Sequence, residues 1–90
     1  MALSRGEGKL KKAILDLERM KAITLFLQES FEHGEPVDIE IAKTELEDLV
    51  DKFAEVFGDQ VAPQQLETAR RDPEYFLRLI DLARATLIKK

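Results

Sequence analysis

The sequence predicts a small all-α domain of four helices, and three observations support this prediction. Apolar residues recur at alternating spacings of three and four over long stretches, as in amphipathic helices. No segment alternates with a period of two for long, so strands are not indicated. The chain has 90 residues, of which 44% are apolar and 36% are charged. This composition suits one domain that places its charges on the outer side of each helix.

The first predicted helix covers about residues 9–33. It follows a segment, 1–8, that we expect to be flexible because it contains two glycines. We expect Gly34 to end the helix in a left-handed conformation and Pro36 to prevent its continuation. The inward positions of this helix are Leu10, Ala13, Leu17, Met20, Thr24, Leu27 and Phe31.

The second predicted helix covers about residues 38–57 and shows the most regular apolar spacing in the chain. Asp38 is expected to cap its start, and Gly58 is expected to end it in a left-handed conformation. Antiparallel packing against the first helix would form a long helical hairpin. The inward positions are Ile39, Ala42, Leu46, Leu49, Phe53 and Val56, with Val50 and Phe57 beside them.

Two shorter helices complete the predicted domain, which covers residues 9–90. Pro63 opens a helix over about 63–70, since proline is favoured at the first helical position. Asp72 then caps a C-terminal helix over about 73–89. The inward positions of these two helices are Leu66, Ala69, Phe76, Leu79, Ile80, Ala83 and Leu87.

The middle of the first helix is more apolar than one buried face requires. A second group of apolar residues lies off the inward stripe, and it comprises Leu15, Ala22, Ile23, Leu25 and Phe26. Helices that are apolar on all sides are usually buried on all sides, so the helix could be the central one of the domain. The alternative is an interface with a second copy or another protein, because small domains often gain core by association.

Charge is strongly segregated along the chain. Residues 1–21 carry six basic and three acidic side chains, whereas residues 22–62 carry two basic and eleven acidic ones. One interpretation is that the acids are simply a solvated face, and the other is a docking surface for a basic partner. The residues of this predicted acidic surface are Glu40, Glu47, Asp48, Asp51 and Glu55.

Basic residues near the two ends of the chain are candidates for contacts with a nucleic-acid backbone. Base-specific recognition of DNA is disfavoured, because the last helix begins with Asp72 and Glu74, which would repel phosphates. The candidate backbone contacts are Lys9, Lys11, Lys12, Arg70, Arg71, Arg78 and Arg84.

Side chains suited to catalysis are scarce. The chain has no cysteine and a single histidine, His33, which we assign a structural role at the end of the first helix. We therefore expect no enzyme activity, no catalytic or metal-binding residues and no cofactor. Because neither a secretory signal nor a membrane-spanning stretch is evident, we expect a cytoplasmic protein without membrane contact.

These observations predict a non-enzymatic helical module for protein-protein interaction, such as an adaptor, regulator or assembly subunit. We expect it to form a homodimer through the first helix or to bind a protein partner there. The alternative function is that of a small subunit of a nucleoprotein complex, which would use the basic residues at the chain ends.

Overall fold

A computed structural model describes the backbone of residues 5–88 and the side chains of residues 8–88. No strand is present within this range, which confirms the predicted all-α fold with four helices. The helices are α1 (Arg5–His33), α2 (Pro36–Phe57), α3 (Pro63–Arg71) and α4 (Pro73–Ile88), and a 3-10 turn at Gly58–Gln60 follows α2.

The first helix begins earlier than predicted. Residues 5–8 belong to α1, although the prediction placed them in a flexible segment. Two glycines in this stretch cost about 1 kcal/mol each relative to alanine, but adding residues to an existing helix needs no new nucleus. Residues 1–4 of the predicted flexible segment, and the predicted helical residue Lys89, lie outside the described residues.

The start of α2 also differs from the prediction. Pro36 occupies the first helical position and Glu35 is the N-cap, so Asp38 is not the cap but the third residue of the helix. The Asp38 Oδ2 atom accepts a hydrogen bond from the Glu35 N–H at 3.1 Å. Asp38 therefore stabilises the helix start from inside the first turn, as the acidic residue of a capping box does.

Both helix-ending glycines differ from the prediction. In residues 5–88 no glycine has a positive φ. Gly58 has φ −58° and ψ −28°, and its N–H donates to the Ala54 carbonyl. The Gly34 N–H likewise donates to the Ser30 carbonyl at 2.8 Å. Each glycine thus continues the right-handed i→i−4 pattern for one more residue.

The start of α4 agrees with the prediction. Asp72 precedes the helix, and its Oδ1 atom accepts hydrogen bonds from the backbone N–H groups of Glu74 at 3.0 Å and Tyr75 at 3.4 Å. Pro73 follows as the first helical residue. The cap satisfies two of the backbone donors that every helix start leaves without a partner.

The four helices surround one core. α1 packs against α2 and α4, and α3 contacts both α2 and α4. Prediction of the core was wrong for Val56, which is exposed; Phe57, four residues after Phe53, takes the inward position instead. The buried apolar residues are Leu17, Met20, Leu27, Ala42, Leu46, Leu49, Val50, Phe53, Phe57, Ala69, Phe76, Leu79, Ile80 and Ala83.

Two ion pairs show the relative direction and register of α1 and α4. Lys21 Nζ lies 3.2 Å from Asp81 Oδ1, and Arg84 donates to Glu18 Oε1 at 3.2 Å. Moving toward the start of α1 therefore leads toward the end of α4, so the two helices are antiparallel. In this register Ile88 is level with about residue 14, and the first turns of α1 extend beyond the described part of α4.

Thr24 is a buried polar residue of α1, and its hydroxyl donates to the Met20 carbonyl at 2.6 Å. We expect Thr24→Val to leave the free energy of unfolding equal or up to about 1 kcal/mol higher, because the carbonyl keeps its helical hydrogen bond. Thr24→Ser should lower it by about 1 kcal/mol, since it removes a buried methyl group. Urea unfolding of both variants tests this, and a less stable valine variant would contradict it.

Candidate functional site

The apolar residues that the sequence placed off the inward stripe of α1 lie on its surface. Leu15, Ala22, Ile23, Leu25 and Phe26 are all exposed, and Phe26 keeps 71% of its accessible area. Helix α1 contacts α2 and α4 through its inward face, opposite most of these residues. The interpretation of α1 as a central helix buried on all sides is therefore wrong for the single chain.

These residues belong to a longer regular row along α1. Exposed residues recur at alternating steps of four and three on the side opposite the core, which is the heptad spacing of helices that pair. We call this row the outer stripe. It consists of Gly8, Lys12, Leu15, Arg19, Ala22, Phe26, Glu29 and His33. The apolar centre of this row was predicted from the sequence, whereas its charged ends were not, although both follow the same heptad spacing.

The exposed apolar surface continues from α1 onto α2. Phe26 lines an open groove of about 320 Å³ together with Ile41. Ile23 lines a neighbouring groove of about 350 Å³ with Val56. Ile41 and Val56 are both more than half exposed, and sequence reasoning did not assign them to any surface. Both grooves follow the α1–α2 contact, so they widen the apolar area beside the outer stripe.

Charges on α1 are distributed unevenly between its two ends. Lys9, Lys11 and Lys12 are exposed in the early turns, and Glu29 and Glu32 are exposed near the end. The dipole of a helix disfavours acidic groups in its last turn by about 0.3–1 kcal/mol each. The acidic end of α1 is therefore unfavourable within the single chain, and a nearby positive charge would stabilise it.

His33 is the last residue of α1, as the sequence analysis assumed. Its Nε2 atom lies 3.8 Å from a carboxylate oxygen of Glu29 and 3.8 Å from one of Glu32. The possible ligand atoms of the three residues lie within 4.8 Å of one another, and all three side chains are exposed. Sequence reasoning did not group them, although residues spaced i, i+3 and i+4 share one helix face. When the imidazole is protonated, the carboxylates can pair with it.

The predicted acidic surface lies on the exposed side of α2. All five of its residues are exposed, namely Glu40, Glu47, Asp48, Asp51 and Glu55. Two of them have partners within the chain: Asp51 pairs with Arg70, and Glu40 lies 3.7 Å from Lys43. This surface is therefore partly neutralised by the protein's own basic residues.

Some of the seven basic residues predicted to contact nucleic acid form ion pairs with carboxylates of the chain, and others do not. Arg70 pairs with Asp51, and Arg78 lies 3.6 Å from Glu74. Arg84 is bonded to Glu18. Among the side chains of residues 8–88, the other four candidates form no ion pair, and these are Lys9, Lys11, Lys12 and Arg71. Only the three lysines are close together in sequence, on the first turns of α1.

Among residues 5–88, no helix combines the length and apolar character that crossing a membrane requires.

Comparison with known proteins gives no functional assignment. No protein-family model, curated protein or solved structure matches the chain.

Proposed function

We propose that this protein is a non-enzymatic interaction module that associates with a second copy of itself through the outer stripe of α1. The observation that carries the proposal is the exposure of Phe26 and Leu15 on the side of α1 away from the core. Exposed apolar patches bordered by charge are typical of protein-protein contacts. Association of identical chains is the commonest way in which small soluble proteins use such a patch.

Packing within the domain supports this proposal. The inward face of α1 already has its partners, because Leu17, Met20 and Leu27 are buried against the other helices. The exposed residues are therefore additional to the core of the single chain. They lie on a helix, whose rigid surface can present them at fixed spacing to another helix.

The alternative function, a nucleic-acid backbone contact, lacks a comparable observation. Carboxylates of the chain pair with Arg70, Arg78 and Arg84, which are three of its seven candidate residues. Each of these pairs would have to open before the arginine could reach a phosphate. A nucleic-acid titration across a salt series distinguishes the two functions, because backbone contacts weaken steeply as salt rises.

Sedimentation equilibrium over a wide concentration range tests the proposed self-association. We expect the native chain to pass from monomer to dimer with increasing concentration. Phe26→Asp should raise the dissociation constant at least about tenfold, equivalent to about 1.4 kcal/mol, because it places a charge within the apolar contact.

Leu82→Asp is the matched control. Leu82 is an exposed apolar residue of α4, and it lines a groove with Phe57 and Gln65 that contains no residue of α1. The same change there should leave the dissociation constant within about twofold of the native value. A native chain that stays monomeric up to millimolar concentration would refute the proposal, as would equal weakening by both variants.

A further inference from the structure

We infer that the α1 helices of two copies pair antiparallel, with Lys12 of one copy opposite Glu29 of the other and Leu15 opposite Phe26. This inference rests on the proposed self-association and specifies its geometry. The two-fold axis would pass between residues 20 and 21 of each α1. The occupant of the outer stripe is thus a second copy of this chain.

The spacing of the outer stripe supports pairing between helices. Its residues alternate by four and three from Gly8 to His33, a distance of about 38 Å along the helix. A period of 3.5 residues keeps one row of side chains facing a partner helix over that length. The row lies on the exposed side of α1, so a second helix can approach it from solvent. Arg19 and Phe26 also line the grooves between α1 and α2, so that helix would border α2 as well.

The outer stripe is self-complementary when two copies of α1 run antiparallel. In an antiparallel pair, each position meets the one equally far beyond the midpoint between residues 20 and 21. Leu15 then meets Phe26 of the second copy, which joins the two large apolar residues of the stripe. Arg19 meets Ala22, and the small alanine leaves room for the long arginine stem.

The charges of the stripe select this orientation. The antiparallel arrangement places Lys12 opposite Glu29 twice in each dimer. Lys11 and Glu32 lie outside the stripe and flank these two residues on the same side of the contact, so they come beside each other across the dimer. A parallel arrangement would instead place Lys12 beside Lys12 and Glu29 beside Glu29, which is repulsive. The lysines also place positive charge beside the acidic end of α1, which the dipole of its own helix disfavours.

Cysteine cross-linking tests the orientation directly, because the native chain contains no cysteine. Lys12→Cys and Glu29→Cys are prepared separately, mixed and oxidised. We expect the mixture to form a disulfide-linked dimer of the two variants. Each variant alone should remain at least tenfold less linked, because two copies of position 12 would be about 26 Å apart, far beyond disulfide reach.

Lys43→Cys mixed with Glu29→Cys is the control for random collision, since Lys43 is exposed on α2. The mixture of Lys12→Cys and Glu29→Cys should exceed this control at least tenfold. Efficient linking of Lys12→Cys with itself would overturn the antiparallel register. Absence of linking above the control in a chain that sedimentation shows to be dimeric would also overturn it, while leaving the proposed self-association intact.

Charge exchange provides a second measurement. Lys12→Glu alone and Glu29→Lys alone should each raise the dissociation constant at least fivefold, because each creates two like-charged pairs in the dimer. The double variant Lys12→Glu/Glu29→Lys should return to within twofold of the native value. A double variant as weak as the single ones would contradict the pairing of these two residues.

Discussion

Phe53→Ala is expected to lower the free energy of unfolding by about 3–5 kcal/mol, the usual range for removing a buried phenylalanine. The Phe53 ring is fully buried. Its centroid lies 5.1 Å from that of Phe57 and 5.5 Å from that of Phe76, in an edge-to-face arrangement with the latter. The ring thus joins α2 to α4, and alanine would leave a cavity between these helices. Urea unfolding monitored by circular dichroism measures the loss.

The expected loss is large compared with the stability of the whole domain. A globular chain of 90 residues has roughly 5–13 kcal/mol at 25 °C. Phe26→Ala is the matched control, since it removes the same ring from an exposed site on α1. Measured at a concentration where the protein is monomeric, it should change the free energy of unfolding by less than about 0.5 kcal/mol. Equal losses in the two variants would contradict the assignment of Phe53 to the core.

Gly34→Ala is expected to lower the free energy of unfolding by about 1–3 kcal/mol, the range for forcing extra atoms into a closed site. A Cβ atom on Gly34 would collide with the Ser30 carbonyl oxygen and would lie 3.0 Å from Asp38 Cβ. Because the obstructing oxygen belongs to the backbone, the connection between α1 and α2 must shift to accommodate the added Cβ atom. The cause is close approach and not a left-handed conformation, because φ at Gly34 is not positive.

Gly58→Ala is the control for this second prediction, and it should have the opposite sign. Gly58 has ordinary right-handed helical angles, and a Cβ atom there would meet only Ala54 Cβ, at 4.0 Å. Alanine should raise the free energy of unfolding by about 0.4–1 kcal/mol, because it restricts the unfolded chain. Thermal and urea unfolding of both variants measure the two signs. Destabilisation by both would instead support the left-handed helix ends expected from the sequence.

The helices were predictable because their signals are local. The apolar spacing around Leu46 and Phe53 and the Asp72-Pro73 start need only neighbouring residues, and the structure agrees with both. Helix ends were less predictable. Glu35 and Asp38 both lie near the start of α2, and Glu35 is the cap because Pro36 takes the first helical position, as Pro63 does in α3. The sequence prediction used Pro36 only as the stop of the first helix and therefore placed the start of α2 too late.

The candidate site was predictable in part. Leu15, Ala22 and Phe26 could be recognised as a second apolar row from their spacing alone. Their exposure could not, because the same row would also suit a helix surrounded by others. Ile41 and Val56 were not assigned to this surface, since the grooves that they line exist only where α2 lies against α1.

Local pattern was thus sufficient for the all-α class, the four helices and most of the inward residues. Helical periodicity and capping depend on residues within a few positions of one another. Packing between distant segments decided the remainder. It buried the row containing Leu17 and left the row containing Phe26 exposed, and it joined Glu18 to Arg84 across 66 residues of chain. Which face of α1 is buried depends on the helices that pack against it. The residues that determine this packing are distributed over all four helices.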